Sequence, residues 1–202
     1  MTDMADPVEQ TYAERARIAD LLESLSPQQW SADSLCSGWR VREVVAHMTS
    51  PFHTRPAKML WGMVRAGFSY DRYAARAAHA ETARRTDQEL LAILRRNIRT
   101  LWQPPGAGAA GALSHDVIHG LDITEPLGLP RPPAVRTGLV LQHTTRQSLA
   151  YFGADWGPYC LTSSDSPGAV GEGERVELPS AEIVLIISGR RRIADLLGEE
   201  SR

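Results

Sequence analysis

The feature that most constrains this chain is an apolar stripe of helical period that recurs along it and is cut repeatedly by proline and glycine. In residues 8–25, Ile18, Leu21, Leu22 and Leu25 stand at i, i+3, i+4 and i+7, the spacing of one buried helix face. Ser26-Pro27 ends that helix. A second is expected after Ser37-Gly38, where Val41, Val44, Val45, Met48 and Phe52 repeat the stripe; Pro51 and Pro56 should bend or break its far end, and residues 59–67 continue it. Thr86-Asp87 offers an N-cap for a helix running to Trp102, with Leu90, Leu94, Ile98 and Leu101 on one face and Arg95, Arg96 and Arg99 on a solvated one. QPPGAGAAG at 103–111 reads as a linker, and helices are expected over 112–125 and 134–152. Four or five amphipathic helices joined by loops predict a mainly α fold, an up-and-down or crossover four-helix bundle. No fixed-period repeat is visible.

The pattern changes at Gly153. Residues 159–163 and 175–178 have strand character around the turn-rich SSDSPGAVGEGE, and Ser180 is placed to cap an apolar helix ending at Gly189. The expected organisation is a helical bundle over 1–152 and a small α/β appendage over 153–202. About 50 residues make a poor independent core, so the appendage is expected to pack on helices.

Composition narrows the function classes. Twenty-two basic against 24 acidic residues give a net charge of −2, too balanced for the basic surface of a nucleic-acid binder. Lys58 is the only lysine, and the arginine and alanine richness reads as a GC-rich bacterial coding bias. MTDMADPVEQ lacks the positive start and apolar stretch of a secretory signal, and the longest apolar run, 183–187, is far below the roughly 20 residues of a membrane span. Cys36 and Cys160, well separated and outside any CxxC spacing, fit a reducing compartment. The expectation is a cytoplasmic protein, without nucleic-acid or membrane partners.

HDVIHGLD carries the strongest chemical signal. His115 and His119, four residues apart, lie about 40° apart around a helix and one turn along it, so both imidazoles can reach one ion. Asp122 falls in the same arc, where its carboxylate can accept a ring N–H of His119 and orient it behind the ligand shell. Two partly exposed helical histidines would give the same spacing. A third ligand must come from His47, His53, His79 or His143, and periodicity does not choose among them; His47, in VREVVAHM, lies about 120° from the centre of its helix's apolar stripe.

The runs ERARIADLLESLSPQQW, SLCSGWRVREVVAHM and HDVIHGLDITEPLGLP, in that order, resemble the mycothiol-dependent maleylpyruvate isomerase family over about residues 8–152. That resemblance implies a DinB-type metal-binding four-helix bundle. WGPYCLTSS, ERVELPSAEIVLIISGR and ADLLG more loosely resemble the family's small C-terminal α/β domain. By the same resemblance, the metal ligands fall on His47, His115 and His119, a three-ligand set of the kind that leaves a catalytic ion an open position; zinc suits it best. Some members of the superfamily carry glutamate where this chain has His115. Three neutral imidazoles leave the ion its full charge, so the site is expected to be more electrophilic.

The resemblance further implies a low-molecular-weight thiol, mycothiol or a similar one, as cofactor. A thiolate aimed by the metal would isomerise a small unsaturated acid by addition, rotation and elimination, or attack an electrophile and stay attached, as in an S-transferase. Either scheme needs a cation for a substrate carboxylate, and Arg190 in SGRRR matches the arginine of the family's tail; a helix-terminal arginine beside a glycine cap is the plain alternative. Cys36 reads as a small filler before its helix, Trp39 as a wedge in the bundle and Cys160 as core. The competing expectation is a non-catalytic metal-binding sensor or a partner-binding helical bundle. Monomer and homodimer are both open.

Overall fold

The structure is a computed structural model that describes residues 5–104 and 106–198. The fold class is the expected one, helices throughout with one small sheet near the C-terminus. The chain divides into two compact units, one formed by Arg15–Trp102 and Asp122–Leu129, the other by the residues up to Glu14, Gln103–Leu121 and the chain from Pro130 onward. The division falls inside two continuous helices, α1 (Pro7–Glu23) and α7 (Gly108–Thr124).

The first unit is helical. Ser26 caps a short α2 (Pro27–Trp30) through a reciprocal capping box with Gln29, where the spacing predicts only a chain break. α3 (Val41–Thr49) buries Val41, Val44, Val45 and Met48, and a single 3₁₀ turn at Ser50–Phe52 leads to α4 (Pro56–Arg65), both prolines acting where expected. α5 (Tyr70–Thr82) was not legible in the sequence. Its buried face is Ala74, Ala78, Glu81 and Thr82, with no large aliphatic residue to mark a stripe, and the alanines let it lie close against α3. The core joins Ile18, Leu22, Trp30, Val44, Met48, Leu90, Leu94 and Ile123, with Trp39 and Cys36 partly buried against it; Trp39 is the wedge it was read to be.

α6 (Asp87–Arg96) starts at the expected Thr86 cap but stops six residues short of Trp102. The reason is tertiary: the buried guanidinium of Arg15 donates to the carbonyls of Asn97, Ile98 and Thr100, which bend away to receive it, and the Asn97 amide donates to the Ile93 carbonyl at 2.8 Å. Of the three arginines read as solvated, Arg96 and Arg99 are exposed, whereas Arg95 reaches Asp20 and Glu23 of α1.

In the second unit α7 begins at Gly108, inside the stretch read as a linker. The expected helix over 134–152 is two: α8 (Ala134–Gln142) ends where the His143 ring meets the Leu139 carbonyl, and Thr145 opens α9 (Arg146–Phe152) with its own capping box. β1 (Tyr159–Ser163) lies between β2 (Ala169–Val170) and β3 (Glu174–Leu178), antiparallel to β2 and parallel to β3. β2 falls within the segment read as turn. Leu161 is the fully buried residue of β1, so Cys160, on the alternate face, is half-buried and not core as expected. α10 (Ser180–Ile187) packs on α8 and β1, and α11 (Ile193–Leu197) comes after it. Ser180 is the first residue of α10, not its cap; its N–H donates to Asp165 at 2.9 Å, and its hydroxyl meets that of Thr137 at 2.6 Å. Gly189, at φ +74°, closes the helix.

Candidate metal centre

α7 carries its polar residues in the middle. Leu113, Val117 and Leu121 are buried, and the rings of His115 and His119 stand on the strip beside them, half-buried, with centroids 4.7 Å apart and planes at 78°. Asp116, 2% exposed, accepts from His115 Nδ1–H at 2.8 Å. That bond selects the tautomer whose Nε2 lone pair is available for an ion. Sequence reasoning missed Asp116, although the dipeptide His-Asp was the signal: a neighbouring carboxylate can turn back to its own histidine.

Asp122, fully buried, accepts from the Cys36 thiol at 3.0 Å through Oδ2, and its carbonyl accepts from the Leu35 N–H at 3.1 Å. Cys36, read as a filler, therefore has a polar partner.

His47 is half-buried on α3, its ring 5.2 Å from that of Trp39 and tilted by 56°. It lines a small cleft with Ser50, Pro51, Tyr70, Tyr73, Ala74 and two further alanines of α5. The Tyr73 ring lies on Gly62, where a Cβ would come within 2.5 Å of it, so α4 needs glycine there. Burial pushes the Tyr73 hydroxyl above its ordinary range. One turn before His47, buried Glu43 takes both Nε and Nη2 of Arg40 and the Thr82 hydroxyl. Burial pushes this carboxyl up, but those hydrogen bonds and the Arg40 charge outweigh it and hold it below the ordinary range.

The other histidines have separate roles. His53 faces Glu81 at 3.3 Å, His79 is exposed near Glu43, and His143 ends α8. Arg190 donates to the Ser188 carbonyl at 2.7 Å and stacks its guanidinium on Phe152 at 5.8 Å.

Among the described residues, two sets of side chains could hold a metal ion: His47 with His115 and His119, and Cys36 with His119 and Asp122, the ligand atoms within each set lying within 4.8 Å of one another. Helices carrying such donor sets define a class, the helical proteins with a candidate metal centre. Residues 12–123 match the family described as mycothiol maleylpyruvate isomerase N-terminal domain, and the chain belongs to that family. Among solved structures it is similar to a histidine-to-alanine mutant of the mycothiol-dependent maleylpyruvate isomerase, at 14% identity and a TM-score of 0.56, covering 92% of this chain and 88% of that one. A second crystal structure of the mycothiol-dependent maleylpyruvate isomerase matches at 15% identity and a TM-score of 0.53, with the same coverage. No curated protein matches the chain. Among the described residues, no helix is long and apolar enough to cross a membrane.

Proposed function

We propose that this protein is a metal- and thiol-dependent enzyme, an isomerase or S-transferase that uses mycothiol or a similar low-molecular-weight thiol and holds zinc on His47, His115 and His119. The observation that carries the reading is the family match over residues 12–123, in a chain whose His47, His115 and His119 could hold a metal ion. The donor set fits: three neutral nitrogen ligands suit a zinc-type ion and leave a fourth position for an incoming ligand. A divalent ion there would deprotonate a coordinated thiol.

The chain's own residues do the positioning. Asp116 holds the His115 Nδ1–H and presents Nε2, and to Asp122, one turn beyond His119, we assign the same part for that ring. Trp39 braces His47, and the cleft beside it offers apolar walls of alanine and proline with tyrosine hydroxyls. To Arg190 we assign the carboxylate of a small unsaturated or electrophilic acid. One observation favours the alternative, a non-catalytic metal-binding sensor or partner-binding bundle: the Arg190 guanidinium is already engaged by the Ser188 carbonyl and the Phe152 ring.

Metal analysis of protein purified without a histidine tag is the first test. Near-stoichiometric zinc that disappears in His47→Ala and His119→Ala supports the site; protein that takes up no ion after zinc addition ends both readings. Mycothiol titrated into the zinc-loaded protein then separates them. Metal-dependent binding, with turnover of maleylpyruvate or thiol capture of an electrophile, supports the enzyme, whereas indifference to small thiols leaves the sensor.

A further inference from the structure

We propose that the outer face of α4 and the turn after it form a docking surface for an anionic lipid bilayer. Every residue of that face lies within the unit Arg15–Trp102. α4 turns one side inward, where Gly62 receives the Tyr73 ring and Met59 and Met63 are half-buried. The other side is bare: Leu60 and Trp61 are each 64% exposed, Val64 45% and Phe68, in the turn, 72%. Leu60, Trp61 and Val64 share one arc of the helix, and no packing within the fold accounts for them. Phe68 is also the only described residue other than glycine with a positive φ, at +59°. Glycine would hold that turn without strain; a bulky residue there, with its ring in water, costs stability and packs little.

Charge names the occupant. Residues 55–76 hold five basic side chains and one acidic, a net +4 in a chain of net −2. Lys58 lies 3.8 Å from Glu81, but among the described residues Arg55, Arg65, Arg72 and Arg76 form no ion pair. Arg76 donates to the Arg65 carbonyl at 2.8 Å and the Arg72 guanidinium lies over Gly67, so both gather at the turn that bears Phe68. Helix electrostatics do not require this set. Arg55, at the N-cap of α4, stands at the end where a cation is unfavourable, and the first turn of α4 has no acidic residue, whereas those of α3, α5 and α6 do.

An exposed aromatic and aliphatic face bordered by arginine and lysine is the pattern of a helix lying in the plane of a bilayer surface. Its apolar side chains sit at the boundary of headgroups and acyl chains, and its cations among the phosphates. The cations stand at both ends of α4, about 15 Å apart by helix rise, which suits a continuous sheet of negative charge better than one acidic motif. A second copy docked on a two-fold axis would set these arginines against their own counterparts. A surface helix needs neither a spanning length nor a signal, so the expectation of no membrane partner, drawn from those two features, does not bear on it.

Co-sedimentation of the full chain with vesicles tests the proposal. Vesicles of equal parts phosphatidylglycerol and phosphatidylcholine are the probe, and phosphatidylcholine alone is the comparison. The expected result is binding to the mixed vesicles about tenfold or more tighter than to phosphatidylcholine, weakened in about 0.5 M salt by screening. Arg65→Gln with Arg72→Gln should weaken it roughly 30-fold, at about fivefold per basic side chain near an anionic surface. Trp61→Ser with Phe68→Ser should abolish it with helical circular dichroism intact, while Tyr151→Ser, at an aromatic 63% exposed in the other unit, should leave it unchanged. Indifference of the wild type to the mixed vesicles overturns the proposal, as does binding that survives the Trp61 and Phe68 changes or falls equally in Tyr151→Ser. A wild-type dimer that those two changes dissociate, with no vesicle binding, gives the face to a second copy and overturns it too. If the double serine variant loses helix, the emission difference between wild type and Trp61→Phe isolates Trp61. That difference must shift to the blue on mixed vesicles, and an unshifted one overturns the proposal.

Discussion

Helices α7 and α10 are both deeply buried, yet they place their polar groups differently. In α10 every residue from Ile183 to Ile187 is buried, and the buried polar groups sit at the ends: Ser180 at the start, where free N–H groups must find an acceptor and find Asp165, and Ser188 at the close, donating to the Val184 carbonyl. In α7 buried Asp116 stands in mid-helix, where the backbone is already satisfied, and Asp122 stands in the last turn, where its carbonyl accepts from Leu35 while its side chain turns to another group. A fold tolerates buried carboxylates in such positions when they hold other groups, and these two hold a histidine and a cysteine. Buried polarity spent on a helix's own backbone groups is a requirement of the helix; buried polarity spent on other side chains points to a site.

The difference can be broken from either side. Leu185→Ala in α10 is expected to cost about 2–5 kcal/mol, as burial loss and a cavity add together, and denaturant melts read it directly. The metal affinity of the protein that remains folded should be unchanged. Asp116→Asn in α7 should do the reverse, lowering zinc affinity about 10–100-fold by competition titration while shifting the melting midpoint little. A large stability loss with unchanged zinc affinity would make Asp116 an ordinary structural residue and erase the contrast.

Glu43, at the start of α3, extends the comparison to pH. Its folded pKa is depressed below the unfolded value, so its stabilisation is complete above the unfolded pKa and is lost as pH falls through the folded one. Denaturation midpoints measured from neutral pH down to about 3 should fall on the acid side, and Glu43→Gln should flatten that fall. A variant with an unaltered acid limb would show that the network with Arg40 and Thr82 contributes nothing. The smallest effect is expected at Asp165→Ala, which removes the acceptor for the first N–H of α10 and should cost about 1 kcal/mol by the same melts, with no effect on bound metal.

Much of the helical scaffold was legible because helix formation and burial leave a local periodicity. Ile18 and Leu22, Val44 and Met48, and Leu90 and Leu94 are all buried as their spacing implied. α5 escaped because its buried face is alanine, threonine and glutamate, small or polar residues that become a packing surface only when α3 is present. The end of α6 escaped because Arg15, more than 80 residues earlier, claims the carbonyls just beyond it. Periodicity cannot report a contact of that separation.

For the candidate site the same division holds. His115 and His119 share a face by the geometry of one helix, so their four-residue spacing was enough. His47, by contrast, could be picked out only through the family resemblance. What only the tertiary structure decided is which carboxylate serves which partner: Asp116 turns back to His115, and Asp122 receives the thiol of Cys36. Sequence carries pitch and spacing, which act over one or two helical turns. The pairing of distant polar groups is set when apolar faces close and each buried donor and acceptor must find a partner from whatever part of the chain has been brought beside it.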